Sequence, residues 1–501
     1  MRVQDTPAGW HRPAALLAGA TLPLAFAPFA LWPLAALCVG ALGWLLRGLR
    51  PRRAFGLAWW FGLGFYGVGT SWIYVSIHGY GGASAPLAAV LTGLFCLGMA
   101  LLFALPFALC GYLDQQRLRG ALLGFPAVWV LGEWLRGWLL TGFPWLYVGY
   151  APIDTPLAGL APVTGVLGMS LVVAITGAAP FALARRPRWA RVGAVVALVA
   201  APWSVAGWLH QRAWTTPIPP GLEVALVQPA QSLNMKWDAT ALPAILTNFV
   251  ATNRRHADVD LLLWPETAIP RFRHQMAPLL KREHDWARAE NLGLLLGIPL
   301  AAGEDGPYYN GLIGLGTAEG SYGKRRLVPF GEYVPLESAL RGLIAFFDLP
   351  MSSFSRAPEQ QPLLTLDGLR IASAICYEIV YPDLVATSAT AANLLVTVSN
   401  DTWFGASIGP HQHFQMARLR AIENGKPLLR ATNDGITAVI DADGRVAAQL
   451  PQFEAGVLQA STLPREGATP FSRHGSLPVV LGCAALLALA LLPRRRRPSR
   501  S

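Results

Sequence analysis

The chain has 501 residues, of which 53% are hydrophobic and only 14% charged, with a formal net charge of +11. Soluble globular proteins carry about a quarter charged residues, so this composition excludes a protein that is soluble throughout. The positive balance needs no nucleic-acid partner: much of it is arginine beside apolar runs, where contact with anionic lipid is the simple reading.

In chain order, the first feature is a series of apolar runs from about Pro13 to Leu209, separated by short Arg-rich or Gly/Pro-rich breaks. Roughly 18 to 20 apolar residues suffice to cross a bilayer as a helix. Eight candidate spans result: 13–29, 31–47, 54–76, 87–112, 120–138, 160–184, 191–209 and, after a long polar interval, 476–493. The first resembles a signal peptide but has no small-residue cleavage site, and a second span follows directly across Pro28 and Pro33. The third contains "GLGFYGVG", a modest helix-packing signal. In or beside the fifth, Arg136 is costly in lipid unless paired; Glu133 or a lipid phosphate are its candidate partners.

Arginine placement predicts orientation. Arg47, Arg50, Arg52 and Arg53 follow the second span, Arg117 and Arg119 the fourth, Arg185, Arg186 and Arg188 the sixth, and Arg494 to Arg497 the last. The alternate loops "HGYGGASAP" and "TGFPWLYVGYAPIDTP" carry no Lys or Arg. Positively charged short loops stay in the cytoplasm, so both termini are expected inside and the long interval outside. In a bacterium this is the periplasmic face of the inner membrane. The expected organisation is a membrane domain over 1–212, an outer domain over 213–470, and a final span with an Arg-rich tail over 471–501.

The outer interval reads as α/β. The segments "LEVALVQ", "DLLLWPE", "LGLLLGIP", "YNGLIGLG", "RIASAIC", "NLLVTVSN" and "GITAVIDADGRV" predict buried strands, and 241–255, 276–291 and 411–424 predict helices. Strands this apolar imply a sheet covered on both faces. Polar residues collect where they end: Glu266 after "DLLLWP", Cys376 after "RIASAI" and Asn400 after "NLLVTVS", with Lys324 and Glu332 in "YGKRRLVPFGEYVP". In α/β proteins, sites gather at the carboxyl ends of strands.

Of five cysteines, Cys38, Cys96, Cys110 and Cys483 fall in predicted spans, and only Cys376 lies in the outer interval. Taken alone, Cys376 reads as an inert buried thiol or as a nucleophile, Glu266 as a helix-start carboxylate or a base, and Lys324 as part of a solvated trio with Arg325 and Arg326 or as a site cation. His411 and His413, two residues apart on a helix, read as structural. The apolar segment 341–357, with Phe346, Phe347, Leu349, Met351 and Phe354, predicts a lid that contacts the bilayer.

Taken together, "WPET" (264–267), "GKRRLVPFGEYVP" (323–335) and "CYE" (376–378) resemble the nitrilase superfamily, whose sites use Glu, Lys and Cys in that order. With the membrane half, and with "VQPAQSLNMKWD", "GEWLRGWLLTGFPW", "NDTWFG" and "HQHFQMARLRAIENGKPLLRATNDG", the resemblance narrows to the bacterial apolipoprotein N-acyltransferase family and runs nearly end to end. It implies an αββα sandwich and an acyl chain taken from a phospholipid, chiefly phosphatidylethanolamine. Cys376 would hold that chain as a thioester and pass it, in a ping-pong sequence, to the α-amine of an S-diacylglyceryl cysteine. It further implies Glu266 as general base, and Lys324 with the backbone N–H of Tyr377 as oxyanion stabilisers. Glu332 would orient Lys324, Glu378 would support the nucleophile, and Trp237 and Asn310 would line the substrate entrance, with Arg136 as a further substrate contact. A thiol titrates near 8.5 and needs a neighbouring base or positive charge to become the thiolate. No metal or cofactor is implied, and a monomer is expected. The alternative is a membrane-tethered nitrilase-type amidase that uses water in place of the amine.

Overall fold

The computed structural model describes residues 9–113, 118–183, 189–232, 235–236, 238, 240–301, 303, 306–333 and 353–492. The chain divides into two compact units. One comprises Met1–Ser71, Leu91–Arg212 and Ser476–Ser501; the other comprises Trp72–Val90 and Ala213–Gly475.

The first unit is helical. Among the described residues, three helical stretches are long and apolar enough to cross a membrane: Ala85–Gly111, Pro156–Leu183 and Trp189–His210. Pro33–Leu45 and Leu477–Leu491 are apolar but shorter. Two of the other expected spans change backbone form along their length. The first stops as an α-helix at Thr21 and passes into a 3-10 turn, Leu22–Ala25, at Pro23. The fifth is a π-turn, Gly120–Gly124, leading into the helix Phe125–Arg136. Glycine lets two helices touch along their backbones: a Cβ on Gly64 would meet the Leu16 carbonyl oxygen at 2.1 Å, and one on Gly19 would meet that of Phe61 at 2.0 Å. Around this seam Phe61, Phe65, Phe103 and Trp129 pack edge and face, with Phe103 and Trp129 centroids 5.5 Å apart.

The second unit is built on thirteen strands: β1 (Leu222–Gln228), β2 (Leu261–Leu263), β3 (Gly293–Gly297), β4 (Gly311–Gly316), β5 (Ala318–Glu319), β6 (Ser321–Gly323), β7 (Leu364–Leu366), β8 (Leu369–Ile375), β9 (Leu394–Ser399), β10 (Leu428–Thr432), β11 (Ala438–Ile440), β12 (Val446–Gln449) and β13 (Gly456–Thr462). Among the described residues they form a six-stranded sheet ordered β13-β1-β2-β3-β4-β6 and a seven-stranded sheet ordered β12-β11-β10-β9-β8-β7-β5. The central strands run parallel, β1 with β2 and β2 with β3 in one sheet, β8 with β9 and β9 with β10 in the other. Val224, Leu226, Leu261, Leu263 and Leu295 of the first sheet pack in one core with Ile371, Ile375, Leu394, Val396 and Leu429 of the second. Each such side chain, fully buried, contributes about 1.5–3 kcal/mol. On the outer face of the first sheet, Leu262, Leu294 and Leu296 pack against Phe249 and Leu280 of the helices Leu242–Arg255 and Ala277–Ala289. Alternate residues of each strand therefore serve two cores, which is why these strands read as apolar throughout. "GITAVIDADGRV" forms two strands, not one: Asp441 to Gly444 turn the chain, and β11 and β12 pair antiparallel.

Candidate active site

The parallel strands deliver one group each to a common edge. Glu266 follows β2 by three residues, Cys376 follows β8 at once, and Asn400 follows β9 at once. Lys324 is the first residue past β6, and Asn310 directly precedes β4. Each position is fixed by the end of a strand whose remainder is locked in the sandwich.

Glu266, Lys324, Glu332 and Asn310 form one buried cluster, each at most 6% exposed. The Lys324 ammonium donates to Glu332 Oε1 at 2.8 Å and to Glu266 Oε1 at 3.3 Å. Asn310 Nδ2 donates to the same oxygens, at 3.0 Å and 2.6 Å. The second oxygen of each carboxylate is held by a backbone N–H, from Asn400 to Glu266 and from Val328 to Glu332. Burial works against the charge on Lys324, but the Glu266 and Glu332 carboxylates outweigh it and hold its pKa above the ordinary lysine value. Asn310, expected to line the substrate entrance, lies within this cluster, where it gives two buried carboxylates sharing one ammonium a further donor.

Cys376 turns sharply out of its strand. Its φ is +52°, in the left-handed region that costs a side-chain-bearing residue of order 1–3 kcal/mol. The turn continues as a 3-10 segment, Cys376–Val380. Glu378, fully buried within it, accepts four hydrogen bonds: from the N–H of Ile375 (2.9 Å), Arg325 (2.7 Å) and Arg326 (3.1 Å) and from the Tyr322 hydroxyl (2.9 Å). One carboxylate thereby ties the nucleophile's turn to the backbone just after Lys324. Tyr377 is buried, with its ring edge-on to Tyr381 at 5.3 Å. Replacing Glu378 with glutamine removes the charge that these four donors share and gives two of them an NH2 to face. The expected result is a fall in acyl-transfer rate of about 10- to 100-fold with a lowered melting temperature, read by kinetics and thermal unfolding.

The sequence reading expects neighbouring charges to make the sulfur anionic. Its surroundings act the other way at rest: burial first, then the Glu266 carboxylate, push the Cys376 thiol above its ordinary range, and Lys324 only partly offsets them. These surroundings favour the neutral thiol over the thiolate.

His413, Asp401, Arg430 and Lys236 also lie here, none of them assigned to the site from sequence. His413, read as structural, brings Nε2 to 3.1 Å from the Cys376 carbonyl oxygen. Its Nδ1 is 3.1 Å from both Arg430 and Asp401, and Arg430 donates to Asp401 at 2.6 Å. Burial and Arg430 lower the His413 pKa, with the Asp401 carboxylate acting the other way. Lys236, almost fully buried, donates to the Glu266 carbonyl at 2.8 Å. Its position beside the quoted "NMKWD" was the one available hint.

Trp237 and residues 334–352, which include most of the expected lid, lie outside the described residues. Phe354, expected in that lid, is buried against Leu327 and Tyr308, its ring 5.2 Å from that of Tyr308. Arg136, expected to meet substrate, is buried in the helical unit. It donates to the Trp145 carbonyl at 3.1 Å and lies within 5.6 Å of the Tyr66 and Tyr147 ring centroids, as a charge away from water must. Its expected partner Glu133 accepts from Trp129 and from the Val148 N–H.

Residues 18–179 match the family model described as apolipoprotein N-acyltransferase N-terminal domain, and residues 223–469 match that of carbon-nitrogen hydrolase. The chain is similar to the apolipoprotein N-acyltransferase of Azotobacter vinelandii, 48% identical over 96% of this chain and 95% of that one. It is similar to that of Pseudomonas aeruginosa PAO1, 46% identical over 97% and 96%, and to that of Vibrio parahaemolyticus, 40% identical over 96% and 97%.

Proposed function

Since the chain belongs to the apolipoprotein N-acyltransferase family and its activity is acyl transfer, we propose that it runs this reaction through a thioester on Cys376, with a phospholipid as donor and the α-amine of a diacylglyceryl apolipoprotein as acceptor. Glu266 takes the thiol proton as the sulfur attacks the donor's ester carbonyl. The Lys324 ammonium and the Tyr377 N–H face the developing oxyanion. The ester C–O bond breaks, and the lysophospholipid leaves with the proton from Glu266. The acceptor amine then attacks the thioester, Glu266 takes its proton, and the thiol is restored.

What supports this sequence of steps is one arrangement: a thiol on a strained turn, kept neutral first by burial, that also feels the carboxylate and ammonium of a buried, hydrogen-bonded cluster. Lys324 serves best when it cannot donate its proton, and its two carboxylate partners ensure that. Glu332 and Asn310 orient it, while Glu378 holds the turn against the lysine loop. Proposed with this are eight membrane spans, a membrane domain over 1–212 and 471–501, a periplasmic catalytic domain over 213–470 at the bacterial inner membrane, and a monomer.

The test is intact-mass analysis of the protein after exposure to phosphatidylethanolamine vesicles. A fatty-acyl mass on Cys376 that disappears when a diacylglyceryl peptide is added is the expected result. No acyl mass, or hydrolysis as fast without the peptide as with it, would refute the proposal in favour of an amidase-like enzyme.

A further inference from the structure

Beside the catalytic cluster lies a cavity of about 310 Å³ lined by Gly79, Tyr80, Ala230, Ser232, Thr402, Asp434 and Phe453. All belong to the second unit, Gly79 and Tyr80 through its Trp72–Val90 segment. That segment is anchored to the catalytic loop: Ser76 Oγ donates to the Trp403 carbonyl at 2.8 Å, and the Trp72 and Phe404 rings meet at 4.8 Å. The opposite walls are tied to the loop after β10, by the Ala230 N–H donating to the Asn433 carbonyl and the Phe453 N–H to that of Asp434.

Asp434 is 8% exposed, and its Oδ1 has no hydrogen-bond partner among the described residues. The nearby cation, Lys236, acts on it electrostatically but directs its ammonium to the Glu266 carbonyl. A buried carboxylate oxygen without a donor is costly, and burial raises the Asp434 pKa to about 6. The cavity thus offers one carboxylate oxygen without a donor, on a side chain that Thr402 hydrogen-bonds and Lys236 reaches only electrostatically, together with hydroxyls from Tyr80 and Ser232 and an aromatic face from Phe453, which is half exposed. A compact cation with hydrogens to donate meets all three needs, and the volume suits a small polar group better than an acyl chain.

We infer that this cavity is a subsite for a primary ammonium group, with Asp434 as its counter-charge. The inference rests on the acyl-transfer reading, in which two such groups come to the site: the ethanolamine headgroup of the donor and the α-ammonium of the acceptor. Lys236 links the two places electrostatically, since it feels both the Asp434 and the Glu266 carboxylates.

Full-length Asp434→Asn and Asp434→Glu proteins, with melting temperatures compared to the parent, would be tested in vesicles of phosphatidylethanolamine and of phosphatidylglycerol. Acyl-Cys376 formation is measured first, then transfer to a diacylglyceryl peptide. If the headgroup occupies the cavity, Asp434→Asn raises the half-saturating phosphatidylethanolamine about tenfold and leaves phosphatidylglycerol unchanged. If the acceptor does, both donors acylate normally and KM for the peptide rises about tenfold. In either case Asp434→Glu, which keeps the charge, recovers most of the loss. Parent-like behaviour of Asp434→Asn in all three measurements, or an equal fall in all three, overturns the inference. The parent protein separates the two claims: failure to acylate Cys376 there refutes the reaction itself, whereas normal acylation there with an indifferent Asp434→Asn refutes only the subsite.

Discussion

Cys376→Ala protein carries no acyl mass and forms N-acylated product at least about 10⁴-fold more slowly than the parent, while folding normally. Removing a nucleophile that acts as one unit with its base costs up to about 10⁶ in other acyl-transfer enzymes. The folding half of the expectation follows from the site. The positive φ at Cys376 is imposed by the end of β8 and by the four donors on Glu378, none of which uses the sulfur. Alanine occupies that conformation at much the same cost as cysteine. Cys376→Ser is the sharper comparison. The thiol already rests above its ordinary pKa, and a hydroxyl is a far weaker acid, so Glu266 cannot ionise it at a useful rate. Parent-like turnover by the serine protein would end the thioester mechanism. The readouts are intact mass and the rate of peptide acylation.

Lys324→Met is expected to damage both rate and stability. Loss of an oxyanion donor costs about 10²–10³ in rate. Among the described residues, the Lys324 ammonium is the cation that contacts both Glu266 and Glu332, at 3.3 Å and 2.8 Å. Without it, the Oε1 atoms of two buried carboxylates converge on the Asn310 amide, and the donors that remain to both groups are neutral. Breaking a buried pair in this way costs about 3–5 kcal/mol, and the two carboxylates will share a proton at neutral pH. A second change separates the two effects. Lys324→Met with Glu332→Gln removes one of the stranded charges and should recover much of the melting temperature, with no recovery of rate. If the double variant regained activity, Lys324 would act only through packing and charge balance, and the oxyanion role would fail.

How much of this was legible beforehand depended on the range of the interaction concerned. Glu266, Lys324 and Cys376 could be singled out because each stands at the end of an apolar strand, where a polar residue breaks a local pattern. His413 and Asn310 break no such pattern. His413 sits in the helix Gly409–Asn424 and reaches the Cys376 carbonyl 37 residues away in the chain. Asn310 precedes a glycine-rich strand and meets carboxylates 44 residues before it and 22 after it. Pairing across the sandwich alone brings such groups together. Arg136 shows the same limit. Its cost in an apolar run was evident, but whether tyrosine rings and a carbonyl or a lipid phosphate met that cost was a matter of packing.

Local pattern sufficed for an apolar helical part followed by an α/β part and for most of the buried strands of the latter, because hydrophobic period and chain breaks are short-range properties. The tertiary structure alone decided that burial favours the neutral thiol, that Lys324 is shared between two carboxylates, that Glu378 binds the turn at Cys376 to the lysine loop, and that one Asp434 carboxylate oxygen lines a cavity without a donor. Ionisation and hydrogen-bond partnership depend on which groups the fold excludes from water together, and residues far apart in the chain carry no mark of that.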